Sequence, residues 1–200
     1  MPTHRGRGAL LMALAAVLVA GCSSEPEPPP AYRLSGDACG AVNPAEFEAL
    51  TRATPAKKPS NLVERLDGGN CAMEFDGAGG YVLLTTFIAI HPSGEAAAKA
   101  MYDDFRQKDG ERVTSGRDLK VIDVEGLGTA AYLYRQHDDS KPWTPGELWL
   151  YKYLVRHGSL FLTVTGTGNA READGWPTVE QEMQDKVKKS AEETMKALKA

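Results

Sequence analysis

Ala9 to Ala20 is an unbroken run of twelve apolar residues, preceded by Arg5 and Arg7 and followed by Gly21 and Cys22. A positive start, a short apolar stretch and small residues before a cut describe an export signal. Twelve residues are too few to cross a bilayer as a helix, which takes about 20. No later segment approaches that length without charges. Residues 1–21 are therefore expected to be removed as a signal peptide, and the remainder to fold outside the cytoplasm.

Val19-Ala20-Gly21-Cys22 closely resembles a bacterial lipobox. The resemblance implies a diacylglycerol on the Cys22 thiol, cleavage before Cys22, and Cys22 as the new N-terminus. A single acyl chain binds a membrane only marginally, and a diacylated cysteine supplies two. The expected location is the cell membrane, lipid-anchored, on its extracytoplasmic face. The first expected partner is the membrane itself, through lipidated Cys22.

Loss of residues 1–21 removes Arg5 and Arg7 and no acid, taking the formal charge from −4 to −6. A mildly acidic chain argues against nucleic acid as a partner and against a broad electrostatic hold on anionic headgroups. Ser23 to Ala31 holds four prolines and no apolar periodicity. Such a linker favours extended polyproline II, and its nine residues reach roughly 28 Å. Residues 22–33 thus read as lipidated cysteine and tether. Residues 34–200 read as a single domain, long enough to bury a core.

Two cysteines remain, Cys39 and Cys71. Outside the membrane disulfides persist, and two cysteines allow one connectivity. The alternatives are a metal pair or a reactive thiol. No third or fourth ligand stands at metal spacing, and the two are not in a Cys-x-x-Cys unit.

Asn43-Pro44-Ala45-Glu46 has the form of a helix start, with Asn43 as cap and Glu46 at the capping-box position. Cys71, Met73 and Phe75 alternate with polar or small residues, a strand pattern. Tyr81 to His91 is apolar on both faces and reads as a central strand. A helix follows from Pro92-Ser93-Gly94-Glu95 to about Lys108, with Ala97, Met101 and Phe105 on one side beside Ala98 and Tyr102. Val121–Val124 and Ala131–Gln136 are short strands around Gly126-Leu127-Gly128. Leu148–Val155 and Leu160–Thr165 form a hairpin about Gly158. A last helix spans about Pro177 to Lys199, opened by the capping box Thr178–Gln181 and lined by Val179, Met183, Val187, Ala191 and Leu198. Strands and helices do not alternate regularly. The expectation is an α+β fold, a largely antiparallel sheet covered by helices, including the long C-terminal one.

Cys39-Gly40-Ala41-Val42-Asn43-Pro44-Ala45-Glu46, Gly69-Asn70-Cys71-Ala72-Met73 and Gly126-Leu127-Gly128-Thr129-Ala130-Ala131 together resemble the small actinobacterial lipoproteins grouped as domain of unknown function 3558. In that family one cysteine precedes a short helix, a second begins a strand, and a Gly-hydrophobic-Gly-x-Ala turn follows. Met73 stands where tryptophan is usual. The extracellular sensor domains of actinobacterial kinases share a similar cysteine-paired layout. The resemblance implies a cell-envelope location and a disulfide, and transfers no catalytic residue.

No Gly-x-Ser-x-Gly elbow and no Ser-x-x-Lys is present. His91, before a proline, and His157, in a tight turn, read as exposed polar residues. His137-Asp138-Asp139 holds candidate metal-binding groups, but neighbours in a strand or loop rarely all face one ion, and no metal site is assigned. Gly166-Thr167-Gly168-Asn169 lacks the third glycine and the Lys-Ser/Thr ending of a phosphate loop and reads as a plain loop. Asp103-Asp104 reads as a solvated helix face.

The loop from His137 to Glu147 is the candidate binding element, with a purely structural loop as the alternative. Trp143 is held between Pro142 and Pro145, with His137 and Asp138 at the loop's start. Trp149, Tyr151 and Tyr153 share one face of the next strand, either as core under a helix, the favoured reading, or as part of a binding surface. The chain is expected to be a non-enzymatic envelope lipoprotein that binds a ligand or protein, with no cofactor. An envelope hydrolase with an unrecognised active site is the alternative, and a purely structural surface protein a third reading.

Overall fold

The computed structural model describes residues 31–61, 66–115, 119–136, 148–171 and 180–200. Strands β1 (Ala56–Asn61), β2 (Asp67–Gly77), β3 (Gly80–Ile90), β4 (Leu119–Asp123), β5 (Ala130–Gln136), β6 (Trp149–His157) and β7 (Leu160–Ala170) form one sheet. Every neighbouring pair is antiparallel, in the order β1-β2-β3-β7-β6-β5-β4. Helix α1 (Ala45–Thr51), α2 (Glu95–Ser115) and α3 (Glu180–Ala197) pack on it. The fold is α+β.

β3 is central, flanked by β2 and β7, as its two apolar faces require. The two sheet faces carry separate cores. On the first, Met73, Phe75, Leu84, Ile88, Trp149, Tyr151, Leu162 and Val164 pack beneath α1 and α3, whose Phe47, Met183, Val187 and Ala191 are buried among them. On the second, Tyr102, Met101 and Phe105 of α2 meet Ala89, Tyr132, Leu154 and Phe161. A single 3₁₀ turn, Ala38–Ala41, is capped by Asp37, whose Oδ1 accepts from the Gly40 N–H at 3.0 Å. Cys39 in this turn and Cys71 in β2 form a disulfide with Cα atoms 4.9 Å apart. It staples the domain's start to the sheet.

Several elements differ from their sequence reading. β1, Ala-Lys-Lys-Pro-Ser-Asn, is exposed throughout; with no apolar alternation and a proline it carries no periodic signal, and its pairing with β2 makes it a strand. β2 runs beyond its apolar alternation because its ladder with β3 continues to Gly77, and α2 runs past Lys108 to Ser115, with Asp109 buried and Val113 packed against the sheet. Asp103 pairs with Lys99 and Asp104 with Lys108 on the solvated face expected for the two acids. Gly166-Thr167-Gly168-Asn169 is strand, not loop. A Cβ on Gly166 would lie 2.9 Å from the Trp149 ring and 2.8 Å from Val187. These glycines make room for the indole. Gly158 turns the β6–β7 hairpin at φ 56° as expected. Asn43 Oδ1 accepts from the Ala45 N–H at 3.1 Å, but Glu46 leaves the helix start to meet Lys186 and Lys189 of α3. The capping box Thr178–Gln181 begins outside the described residues.

Residues 31–33, the described end of the expected tether, lie at one end of the sheet. The Arg33 N–H donates to the Leu198 carbonyl at 2.8 Å, and the Ala200 N–H to the Ala31 carbonyl at 3.1 Å. The Tyr32 hydroxyl lies 2.6 Å from His157 Nδ1. Ala130 pairs with Arg156 and Gln136 with Leu150. His157, Ala130 and Asp123 therefore share the tether end, and Trp149, Gln136 and Leu119 the far end.

Candidate functional site

A helix is about 10 Å across, and strands lie about 4.8 Å apart, so one helix covers about two strands. α1 and the 3₁₀ turn cover β2 and β3; α3 covers β7 and β6. On that face, no described element covers β5 and β4. One flank of α3 is closed: Glu46 of α1 binds Lys186 at 3.1 Å and also Lys189, and Asn43 donates to Glu193 at 3.0 Å. The other flank is open, and a hollow of about 560 Å³ lies between it and β4.

Leu133 and Arg135 of β5 and Tyr153 of β6 form its floor. Gln181, Gln184, Asp185 and Lys188 of α3 form one wall, and Ile122 to Glu125 the other. The helix positions recur at three and four residues, so they stack along one side of α3. Arg135 and Tyr153 are 8% and 3% exposed. Burial pushes the Tyr153 phenol well above its ordinary range; Asp185 and Glu192 push it further, and Arg135 opposes them. The phenol is thus a fixed donor at neutral pH. The site combines a guanidinium, a phenol, amides and carboxylates around a partly apolar floor.

A second hollow, about 320 Å³, continues on the same flank toward the tether end, between the Gly126–Gly128 turn and Glu192, Met195, Lys196 and Lys199. His157 lines it. The sequence reading of His157 and His91 as exposed is corrected here. His157 is half-buried and bonded to Tyr32, and His91 is 8% exposed. The hairpin and the strand end are covered by the tether root and by neighbouring turns, which local sequence does not show.

The expected binding residues Trp143, His137 and Asp138 lie outside the described residues, as does Cys22. Trp149, Tyr151 and Tyr153 share one face, as their spacing predicts, and that face is core under α3. Among the described residues no group of three or more His, Cys, Asp or Glu side chains could hold a metal ion. No described helix is long and apolar enough to cross a membrane.

On the opposite face α2 and the sheet enclose a polar cluster that the sequence reading missed. Asp109, 1% exposed, accepts from the Tyr132 hydroxyl at 2.9 Å and pairs with Lys152 at 2.6 Å. The Lys152 ammonium lies 4.6 Å from the Tyr134 ring centroid. A signal was present: Tyr102, Phe105 and Asp109 stand at i, i+3 and i+7, one helix face. No family model matches the chain, and neither a curated protein nor a solved structure matches it.

Proposed function

We propose that this chain is a lipid-anchored, extracytoplasmic binding module of the cell envelope, related to the small actinobacterial lipoproteins of domain of unknown function 3558. The observation that carries the binding reading is the open hollow of about 560 Å³ with Arg135 and Tyr153 on its floor. Its described lining sets a guanidinium, a phenol and two side-chain amides around Leu133, a few polar groups beside an apolar floor, which suits hydrogen-bonded recognition of a ligand. The anchor reading rests on Val19-Ala20-Gly21-Cys22. It agrees with a tether that enters at the sheet end opposite Arg135.

The test places a photo-reactive side chain at Lys188, in the hollow, or at Lys57, on the exposed β1, in the full chain in living cells. Adducts from position 188 and not from 57 are expected. Equal yields, or none, would remove the hollow as a binding site. In parallel, Cys22→Ala should abolish labelling by fatty acid; persisting label would end the anchor reading.

A further inference from the structure

The second hollow, of about 320 Å³, is separate from the floor of Arg135 and Tyr153. Glu192, Met195, Lys196 and Lys199 line one side of it. Helical hydrogen bonding continues to Leu198, whose N–H donates to the Thr194 carbonyl at 3.1 Å. The four residues stand at i, i+3, i+4 and i+7, so they share one side of the end of α3. His157 and the Gly126–Gly128 turn line the other side.

The cations here differ from the others on the same helix. Segment 180–200 has five lysines. Lys186 and Lys189 bind Glu46, and Lys188 binds Glu192 at 3.8 Å. Lys196 and Lys199 form no ion pair with a described residue. Lysines near a helix C-terminus offset the helix dipole, but that role does not require them to border one concavity with a histidine. Burial lowers the His157 pKa, and the charges of Lys199 and Arg156 lower it further, against Glu95. Positive charge is thus gathered at this point of a chain whose formal net charge is −4.

Neutral donors stand beside these cations. Gly126 and Gly128 have φ of 75° and 67°, backbone that favours glycine. The turn is bracketed by the Val124 N–H on the Ala131 carbonyl and the Thr129 N–H on the Arg156 carbonyl. The N–H groups of Gly126, Leu127 and Gly128 make no main-chain bond to a described residue. Successive N–H groups in such turns form anion-binding concavities. The Tyr32 hydroxyl occupies His157 Nδ1 at 2.6 Å, which leaves Nε2 as the ring nitrogen for a ligand.

We infer that this hollow binds a phosphate group. The inference is independent of the larger hollow. The donors fix the chemical class. Two ammonium groups and an imidazole meet the ligand from two sides, and no described arginine lines the hollow. A planar carboxylate is matched by the fork of arginine, whereas lysine serves phosphate as a compact point charge. A tetrahedral phosphate presents oxygens toward α3 and toward the turn at once. Glu192 is the one acid of the described lining, and it is engaged with Lys188. Free phosphate and a lipid headgroup carry the same group, and the experiment separates them.

The test follows amide shifts of the full, isotope-labelled chain in uncharged maltoside micelles. One arm adds inorganic phosphate; the other mixes phosphatidic acid into the micelles; potassium chloride at equal ionic strength is the blank. At least one phosphate source should give saturable shifts at residues 126–128, Lys196 and Lys199, and chloride should not. Saturation by inorganic phosphate assigns the site to soluble phosphates, and saturation by phosphatidic acid alone assigns it to a headgroup. Lys196→Gln/Lys199→Gln should weaken binding at least about tenfold. Lys57→Gln/Lys58→Gln, which removes as many charges from exposed β1, should change it little. The shift map uses the unaltered chain, so the inference stays testable if a variant fails to fold. It is overturned if neither source saturates these shifts, if chloride matches them, or if Lys196→Gln/Lys199→Gln binds as before. Saturable shifts at Arg135, Asp185 and Lys188 instead would overturn it and support the larger hollow as the binding site.

Discussion

Lys152 of β6 and Asp109 of α2 meet at 2.6 Å between helix and sheet, their side chains 16% and 2% exposed. Burial pushes the Lys152 ammonium below its ordinary range, and the hydrogen bond and charge of Asp109 hold it up against that. Burial, Asp109's charge and its hydrogen bond all push the Tyr132 phenol the other way, upward, so it remains a donor to the carboxylate. The cluster joins α2 to the two strands that also floor the hollow on the opposite face.

Breaking this pair should cost more than removing it. Lys152→Met leaves the buried Asp109 charge with the Tyr132 hydroxyl and, at 3.6 Å, the exposed Arg112 guanidinium, and a cost of about 3 kcal/mol is expected. Asp109→Leu combined with Lys152→Met removes both charges and should recover most of that loss. Urea unfolding of the two single variants and the double variant measures it. A double variant as unstable as the sum of the singles would show the pair to be uncoupled.

Acid should act in two steps. Burial lowers the pKa of both His91 and His157; at His157, Lys199 and Arg156 add to this and Glu95 opposes it. The unfolded chain then takes up protons first as pH falls. The stability these histidines retain is complete above the ordinary histidine value of about 6.5 and declines as pH drops through it. Glu46 behaves differently: hydrogen bonds from Lys189 and Lys186 hold its carboxyl low. Its contribution is present above its ordinary value of 4.5 and lost below that. Thermal unfolding should therefore show a lower Tm at pH 5.5 than at pH 7.5. His91→Gln/His157→Gln should flatten that difference and leave the step below pH 4.5. An unchanged slope between pH 7.5 and 5.5 in the double variant would refute the assignment.

The disulfide closes a separation of 32 residues. In the chain-entropy model a loop of that size is worth roughly 3–4 kcal/mol. Cys39→Ala/Cys71→Ala should lower the urea midpoint and steepen the slope, because the freed unfolded chain exposes more surface. The unreduced native chain should show no free thiol at either position; labelling of both without denaturant would contradict the bond.

Gly166→Ala should destabilise by about 1–3 kcal/mol, because its Cβ would press on the Trp149 ring and Val187. Trp149→Phe opens space at the same point, so the double variant should lose less than the two singles added together. Equal losses would mean that the glycine is there for another reason.

Much of the fold is legible in local pattern. The alternation of Cys71, Met73 and Phe75, the two-sided apolar run of β3 and the spacing of Met183, Val187 and Ala191 each point to one element, because burial repeats with the period of the backbone. The Cys39–Cys71 bond is the one pairing open to the two cysteines beyond Cys22. Other features come from contacts distant in sequence. β1 exists only through its partner β2. The glycines of β7 are explained by an indole on β6. His157 is sheltered by Tyr32, 125 residues away.

The candidate site lies on the same divide. Arg135 on β5 and Asp185 and Lys188 on α3 carry no local sequence signal that joins them. They line one hollow because α3 leans toward α1 and leaves β5 and β4 uncovered. The amino-acid order by itself determined the class of fold and the cysteine pair. Each depends on composition or on spacing within a short stretch. Only the tertiary structure decided which described strands lie at the edges of the sheet and which charges face one another. A helix spans about two strands, and which two it covers is set by the packing of the whole chain.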